Sequence, residues 1–220
     1  MFSKKILNNN IPQLHLQDSV VKALQLMNDF RIEHLPIVSE NVYLGFICED
    51  DLIDVDDKNL SIETLQNDFV KASVLENTHF LNAASFAINF DTSIVPVVNI
   101  EGEYIGVISN TELLKTIGNF AGADEIGGLI VLEMKRSQFA ISEISRIVES
   151  NDCTILHLNT TTDALTGLLT VTIHINKKEI SSVLSTFERY DYTITYSYGI
   201  EKYASEIGSN YQNLMSYLDV

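Results

Sequence analysis

The sequence predicts an α/β chain of the α+β kind: two copies of an α-β-β-α unit, a separate β-α-β-β-α-β domain, and a C-terminal amphipathic helix. Three observations carry this reading. A skeleton of apolar residues with one proline and one glycine recurs about sixty positions later. Beyond residue 126 the hydrophobic period switches repeatedly between 2 and 3.6. The chain has 220 residues, enough for two or three cores, whereas neither repeat alone is large enough to bury a good one.

The repeat is in register. Leu14, Val20, Ala23, Met27, Phe30, Leu35, Pro36, Ile37 and Val38 find counterparts in Val74, Phe80, Ala83, Ala87, Phe90, Val95, Pro96, Val97 and Val98. After one inserted residue, Tyr43-Leu44-Gly45-Phe46-Ile47 becomes Tyr104-Ile105-Gly106-Val107-Ile108, and Asp51-Leu52 becomes Glu112-Leu113. In each copy Asp18 or Thr78 stands at the expected helix N-cap. Val20, Leu24, Met27 and Phe30 follow at helical spacing. Leu35-Pro36-Ile37-Val38 and Val95-Pro96-Val97-Val98 read as short buried strands, with the proline limiting them to a strand start or an edge. Polar turns at residues 39–41 and 99–102 lead to second strands at 43–48 and 104–109, each running into a helix. Repeat one spans about 11–57 and repeat two about 68–118, so the pair occupies 1–118. Two copies packed face to face would bury what one cannot.

Residues 119–126 are small, polar and glycine-containing, a domain joint. Residues 129–134 have strand character. Ile141, Ile144 and Val148 mark an amphipathic helix with Ser137 as its expected N-cap. Residues 153–158 read as a strand and 160–167 as a threonine-rich loop. Leu169, Val171, Ile173 and Ile175 alternate with Thr170, Thr172 and His174, a half-buried strand. Ile180, Val183, Leu184 and Phe187 mark a second helix. Tyr192, Ile194, Tyr196 and Tyr198 alternate with threonine and serine, one face of a last strand. This order, over 127–200, is the ferredoxin-like plan. The strands at 169–175 and 192–198 lack any lysine or proline that would blunt a sheet edge. In residues 201–220, Tyr203, Ile207, Tyr211, Leu214 and Leu218 share one helical face.

Composition narrows the function classes. Thirty acidic residues against 14 lysines and arginines leave a formal net charge of −16, with the basic residues scattered. Nucleic acid and anionic membranes are therefore not expected partners. Two distant cysteines, Cys48 and Cys153, make neither a disulfide framework nor a zinc site. No metal is expected: the five histidines have no HxxxH or HExxH spacing. No secretory signal and no membrane-length apolar run is present, so a cytoplasmic protein is expected. The glycine-rich stretch at 122–128 lacks the Lys-Ser/Thr of a phosphate loop, and neither a GxSxG elbow nor a Cys-His pair is found. Catalytic residues are thus expected to be none, and the chain is read as not an enzyme.

The chemistry concentrates at the turn after each second strand. A glycine (Gly45, Gly106) lets another group approach the backbone. A hydroxyl at the following helix N-cap, with free N–H groups, favours an anion. A carboxylate one turn later can accept two hydrogen bonds from a ribose diol. Repeat two has the hydroxyl as Ser109, and its acid is Glu112; repeat one has Cys48 at that position and Asp51 as the acid. Glu49 and Asp50 add negative charge where a phosphate would lie, and Arg31, Lys71 and Lys115 are the nearest cations. The bland reading stands beside this one: Ser109 as a helix cap, Asp51 and Glu112 as first-turn acids favoured by the helix dipole.

LPIV…YLGFICEDDLI and VPVV…EYIGVISNTELL resemble the signature of cystathionine-β-synthase (CBS) domains, which occur in tandem pairs. The resemblance covers the first 118 residues. It implies a cleft that binds an adenosine nucleotide (AMP, ADP or ATP) or an adenosyl derivative. The base would lie beside Leu35, Pro36 and Ile37 or Val95, Pro96 and Val97; Gly45, Cys48 and Asp51, or Gly106, Ser109 and Glu112, would hold the ribose and phosphate. Residues 127–199 resemble an ACT domain, although Lys135-Arg136-Ser137-Gln138 replaces that family's glycine after the first strand. The combination is similar to bacterial regulators of the acetoin-utilisation type. It implies a non-enzymatic homodimeric sensor with no required cofactor, acting on an unidentified regulated protein. The alternative is a constitutive dimeric scaffold with empty clefts.

Overall fold

The computed structural model describes residues 1–200; the helix expected at 201–220 lies outside the described residues. The chain divides into two compact units, Met1–Gly118 and Asn119–Val220.

In the first unit, repeat one contributes α1 (Val20–Phe30), β1 (His34–Ser39), β2 (Val42–Cys48) and α2 (Glu49–Ile53). Repeat two contributes β3 (Val74–Leu75), α3 (Phe80–Phe90), β4 (Ile94–Val98), β5 (Tyr104–Ser109) and α4 (Asn110–Phe120). The helix caps sit one residue later than expected. Ser19 Oγ accepts from the Lys22 N–H at 3.3 Å, and His79 Nδ1 from the Leu81 N–H at 3.4 Å. Asp18 instead accepts from the His15 N–H and pairs with Lys22, while the Thr78 hydroxyl donates to the Leu75 carbonyl. Both helices end on a left-handed residue, Arg31 and Asp91, in matching positions.

Each β-hairpin is antiparallel, with Ile37 opposite Gly45 and Val97 opposite Gly106. Pro96 lies within the central strand of the order β3-β4-β5 rather than at an edge. It is tolerated because β3 pairs only with Val97 and Val98, so no neighbour needs the N–H that proline lacks. The buried helix stripe is Val20, Ala23 and Met27; Phe30 is exposed.

The two repeats share a pseudo-two-fold relation that is visible in their hydrogen bonds. The Tyr43 N–H donates to the Gly102 carbonyl and the Tyr104 N–H to the Asn41 carbonyl, and the two tyrosine rings stack at 6.3 Å. Segments are exchanged as well. Asn8, ahead of α1, pairs with Val107 of β5, and Val70, ahead of β3, pairs with Phe46 of β2. Phe46 belongs to the repeat-two core beside Val74, Ala83, Phe86 and Val95. Neither copy therefore completes its own core, as the size of each unit requires.

The second unit contains β6 (Gly128–Met134), α5 (Ile141–Glu149), β7 (Ile155–Thr162), β8 (Leu169–Ile175), α6 (Ser181–Arg189) and β9 (Thr193–Tyr198). Its sheet order, β7-β8-β6-β9, is the ferredoxin-like one, and all described pairs are antiparallel. β6 and β8 alternate between buried and half-buried residues, and their inner faces pack on Ile144, Ile147, Val148, Val183 and Phe187 of the helices.

Four expectations are corrected here. Ser137 lies in a short 3-10 turn, and Ala140 occupies the N-cap position of α5. Thr160, Thr161 and Thr162 belong to β7, paired with Val171, Thr170 and Leu169, because β-branched residues suit a pleated surface. The turn begins only at Asp163, whose Oδ1 accepts from the Leu165 and Thr166 N–H groups. β8 is an interior strand; the edges are β7 and β9. Finally, the tyrosine stripe is split. A register shift sets Val131 opposite Tyr196 but Leu132 opposite Ile194. The bulge turns Tyr192 and Ile194 onto the core and leaves Tyr196 and Tyr198 exposed.

Candidate functional site

The two strand-to-helix turns of the first unit are built alike, yet their chemistry differs. In both, the first N–H of the helix is already taken by the loop before the first strand. The Glu49 N–H donates to the Glu33 carbonyl at 2.8 Å, and the Asn110 N–H to the Ser93 carbonyl at 3.3 Å. In both, the glycine faces the exchanged segment rather than an open cleft. Gly45 has φ of +144°, and a Cβ there would stand 3.0 Å from both Phe69 Cβ and the Val70 carbonyl oxygen. Gly106 has φ of +154°, with the Leu7 side chain 3.4 Å from the corresponding point. Close approach is thus real at both positions, and the approaching group is the chain itself.

In repeat one, Cys48 is the N-cap of α2, and its thiol makes no capping hydrogen bond. Burial pushes this thiol up against the partial opposition of the Asp50 and Glu49 backbone N–H groups, and the nearby Asp50 and Asp51 charges add to the rise. A cavity of about 160 Å³ at this turn is lined by Glu33, Cys48, Glu49 and Asp50. Asp51 is exposed, and its carboxylate makes no hydrogen bond or ion pair among the described residues. A second cavity, about 170 Å³, is lined by Leu16, Leu44, Gln66, Phe69 and Lys71.

In repeat two, the Ser109 hydroxyl is largely buried. It accepts from the Glu112 N–H at 3.4 Å and donates to Glu112 Oε2. The Asn8 side-chain amide donates to the same oxygen at 3.1 Å, and Lys115 Nζ stands 3.9 Å from Oε1. Burial alone would raise the Glu112 carboxyl. The hydrogen bonds from Ser109 and Asn8, with the Lys115 charge, outweigh it and hold the group below the usual carboxylate range. Asn8 carried no signal of its own in the sequence; its role depends on a contact across 104 positions.

The apolar strand residues are placed elsewhere than beside an open slot. Leu35, Ile37, Val95 and Val97 have no accessible surface and belong to the two cores, and Pro36 and Pro96 are buried with them. Between the turns, His34 and Ser93 lock the two first strands together. The Ser93 N–H donates to His34 Nδ1 at 3.2 Å, and the Glu33 N–H to Ser93 Oγ at 3.1 Å. Burial lowers the His34 pKa, against the partial opposition of Glu33, Asp51, Asp91 and Asp50.

In the second unit, a cavity of about 310 Å³ is lined by Glu133, Gln138, Glu143, Asp191 and Tyr192, among others. The Tyr192 hydroxyl donates to Glu143 at 2.9 Å; burial, with this carboxylate, pushes its pKa up to about 12. Among the described residues no group of three or more His, Cys, Asp or Glu is placed to hold a metal ion. Among them, no helix is long and apolar enough to cross a membrane.

A face-to-face α-β-β-α duplication joined to a ferredoxin-like domain is the architecture of a two-module α/β protein. Residues 4–58 and 68–119 match the CBS domain family, one match to each repeat: the chain carries a tandem pair of CBS domains, followed by a domain of ferredoxin-like plan. A CBS domain pair/ACT domain protein from Thermotoga maritima is similar in structure, with a TM-score of 0.50 and 20% identity, over 55% of this chain and 98% of that one. CBS domains of a transcriptional regulator from Streptococcus pneumoniae align at 20% identity and a TM-score of 0.46, over 52% and 98%. CBSX2, solved in complex with AMP, aligns at 19% identity and 0.44, over 54% and 97%.

Proposed function

We propose that the chain is a non-enzymatic regulatory protein that senses an adenosine nucleotide at the CBS pair, with Asp51 as the ribose acceptor. The observation that carries this is the state of Asp51. It is an exposed carboxylate in the first turn of α2, at the position the family pattern gives to the ribose acid, and no hydrogen bond or ion pair among the described residues occupies it. A carboxylate in that state can take both hydroxyls of a diol. Glu33, Glu49 and Asp50 around the adjoining cavity repel phosphate, so the ligand carries few: AMP, or an adenosyl derivative without phosphate, ahead of ATP. Family membership supports a regulatory rather than catalytic role. A cytoplasmic location accords with this ligand class.

The partner implied for the first unit is a second copy. α3 carries no charged residue, and Ile88 and Leu114 are 79% and 72% exposed. Between α3 and α4 runs a groove of about 350 Å³ lined by Ala84, Ala87, Ile88, Leu113, Leu114 and Ile117, among others. A contiguous apolar surface of this kind on a chain of net charge −16 is suited to isologous pairing. The edges β7 and β9 of the second unit offer a further surface.

Thermal shift with AMP, ADP, ATP and S-adenosylmethionine tests the ligand. A ligand at a hundred times its Kd stabilises the native state by about 2.7 kcal/mol. AMP is expected to give the larger shift, lost in Asp51→Ala. No shift from any of the four at millimolar concentration refutes the sensor reading and leaves a constitutive scaffold.

A further inference from the structure

We infer that Asn8 decides which repeat binds: its side-chain amide occupies the repeat-two acid Glu112 and leaves Asp51 of repeat one as the free ribose acceptor, so the pair takes one nucleoside per chain. This rests on the nucleotide reading of the two turns.

The exchanged segments provide an internal control. Asn8 pairs with Val107 of β5 as Val70 pairs with Phe46 of β2. One residue earlier, Leu7 stands against Gly106 as Phe69 stands against Gly45. The backbone placement is therefore duplicated, and the side chain at the equivalent point is not: an amide at position 8, an isopropyl group at position 70. Asn8 is anchored at both ends. Its Oδ1 accepts from the Asn10 N–H at 3.0 Å, which fixes the orientation of the amide, and its Nδ2 donates to Glu112 Oε2 at 3.1 Å. The same oxygen also accepts from Ser109. Two donors already fill Oε2, and Lys115 faces Oε1 at 3.9 Å.

A ribose diol needs acceptor sites on one carboxylate. At repeat two it has to displace Asn8, leaving the amide to find water and loosening the N-terminal segment from β5. A hydrogen bond to a charged group contributes on the order of tenfold to a hundredfold in an equilibrium, so Asn8 weakens repeat two by about that factor relative to an open acid. Repeat one offers no such competitor, because the Val70 side chain has nothing to donate and its N–H is taken by the Phe46 carbonyl.

The experiment is calorimetric titration of the full chain with AMP, together with a ligand-free NMR titration of the Glu112 side-chain carboxyl. Wild type is expected to bind one AMP per chain, lost in Asp51→Ala. Asn8→Ala is expected to bind a second, removed again by Glu112→Ala, and to titrate Glu112 at higher pH than wild type does. Val70→Asn, which sets an amide at the equivalent point of repeat one, is expected to weaken the first site on the order of tenfold. Two equivalents bound by wild type, or one still bound by Asn8→Ala, overturns the assignment. An unmoved Glu112 titration in Asn8→Ala overturns the hold on the acid, whatever binds. No AMP bound by any variant, with the Glu112 titration moved, overturns the nucleotide reading while the hold stands.

Discussion

Gly45→Ala is expected to destabilise the first unit more than Gly106→Ala, though both glycines hold the same place in their repeats. At Gly45 a methyl group meets Phe69 Cβ and the Val70 carbonyl oxygen, both at 3.0 Å, closer than neighbours tolerate without moving. The Phe69–Val70 segment cannot retreat freely. It is held by the Phe46 N–H on the Val70 carbonyl at 3.0 Å and the Val70 N–H on the Phe46 carbonyl at 2.9 Å. Giving way strains or breaks both, at about 1 kcal/mol each. Alanine at this positive φ adds about 1–3 kcal/mol of backbone strain, for a total of about 3–5 kcal/mol. At Gly106 the φ is similar, but the facing atoms are the flexible end of Leu7 at 3.4 Å, so only the strain, about 1–3 kcal/mol, remains. At about 4 °C per kcal/mol for a unit of this size, Gly45→Ala lowers the melting midpoint by about 12–20 °C and Gly106→Ala by about 4–12 °C. Differential scanning calorimetry of the two variants beside wild type measures both. A loss in Gly106→Ala equal to or larger than that in Gly45→Ala would show that contact with the exchanged segment does not explain the glycine.

Two further outcomes follow from named contacts. Burial lowers the His34 pKa, and its Nδ1 accepts the Ser93 N–H, which a protonated ring could not do. The unfolded chain therefore takes up the proton first, at about pH 6.5, and stability falls as pH drops from there towards the folded value and is level above it; His34→Gln is expected to flatten that slope in urea melts between pH 5 and 8, and an unchanged slope would assign it to other groups. Leu114→Asp, placing a carboxylate in the α3–α4 groove at a residue 72% exposed in the single chain, is expected to leave the fold intact and give monomer by light scattering where wild type gives dimer; a wild-type mass of 24.7 kDa at micromolar concentration would remove the basis for pairing altogether.

Local pattern made the elements legible. The alternation of Leu169, Val171, Ile173 and Ile175 against polar neighbours survives as the buried face of β8, and the duplicated Pro and Gly positions take the same register in both hairpins, the residue after each proline lying opposite the glycine. Where the reading slipped, the cause lay in competing local chemistry. Asp18 is a good N-cap residue by type, but its carboxylate closes the preceding turn on His15 and pairs with Lys22, so Ser19 takes the cap. Three threonines suggested a loop, although their β-branching fits a strand, and Asp163 with Gly167 at φ +69° supplies the turn chemistry just beyond them. The tyrosine alternation was real in sequence and broken in space, because a bulge shifts the side-chain face by one residue and period-two patterns carry no record of it.

The candidate site was less legible, for a different reason. Its residue types are local, but their availability is not. Asp51 and Glu112 look equivalent in sequence, each one turn into a helix after a Gly-apolar-apolar-x strand end. What separates them arrives from 104 positions away, in a segment that carries no hydrophobic periodicity and so no readable signal. The same holds for the glycines, where a permissive residue tells that something comes close without telling what. A duplicated fold sharpens this point. Duplication imposes one backbone geometry on both copies, so the differences that matter for ligand choice fall on a few side chains in the turns and the exchanged segments: Asn8 against Val70, Ser109 against Cys48, Glu112 against Asp51. One acid is held by three neighbours and drawn below the carboxylate range, and the other is left open to solvent. Two clefts of one shape then need not be two sites of one affinity, and the ligand number per chain becomes a property of those side chains rather than of the fold.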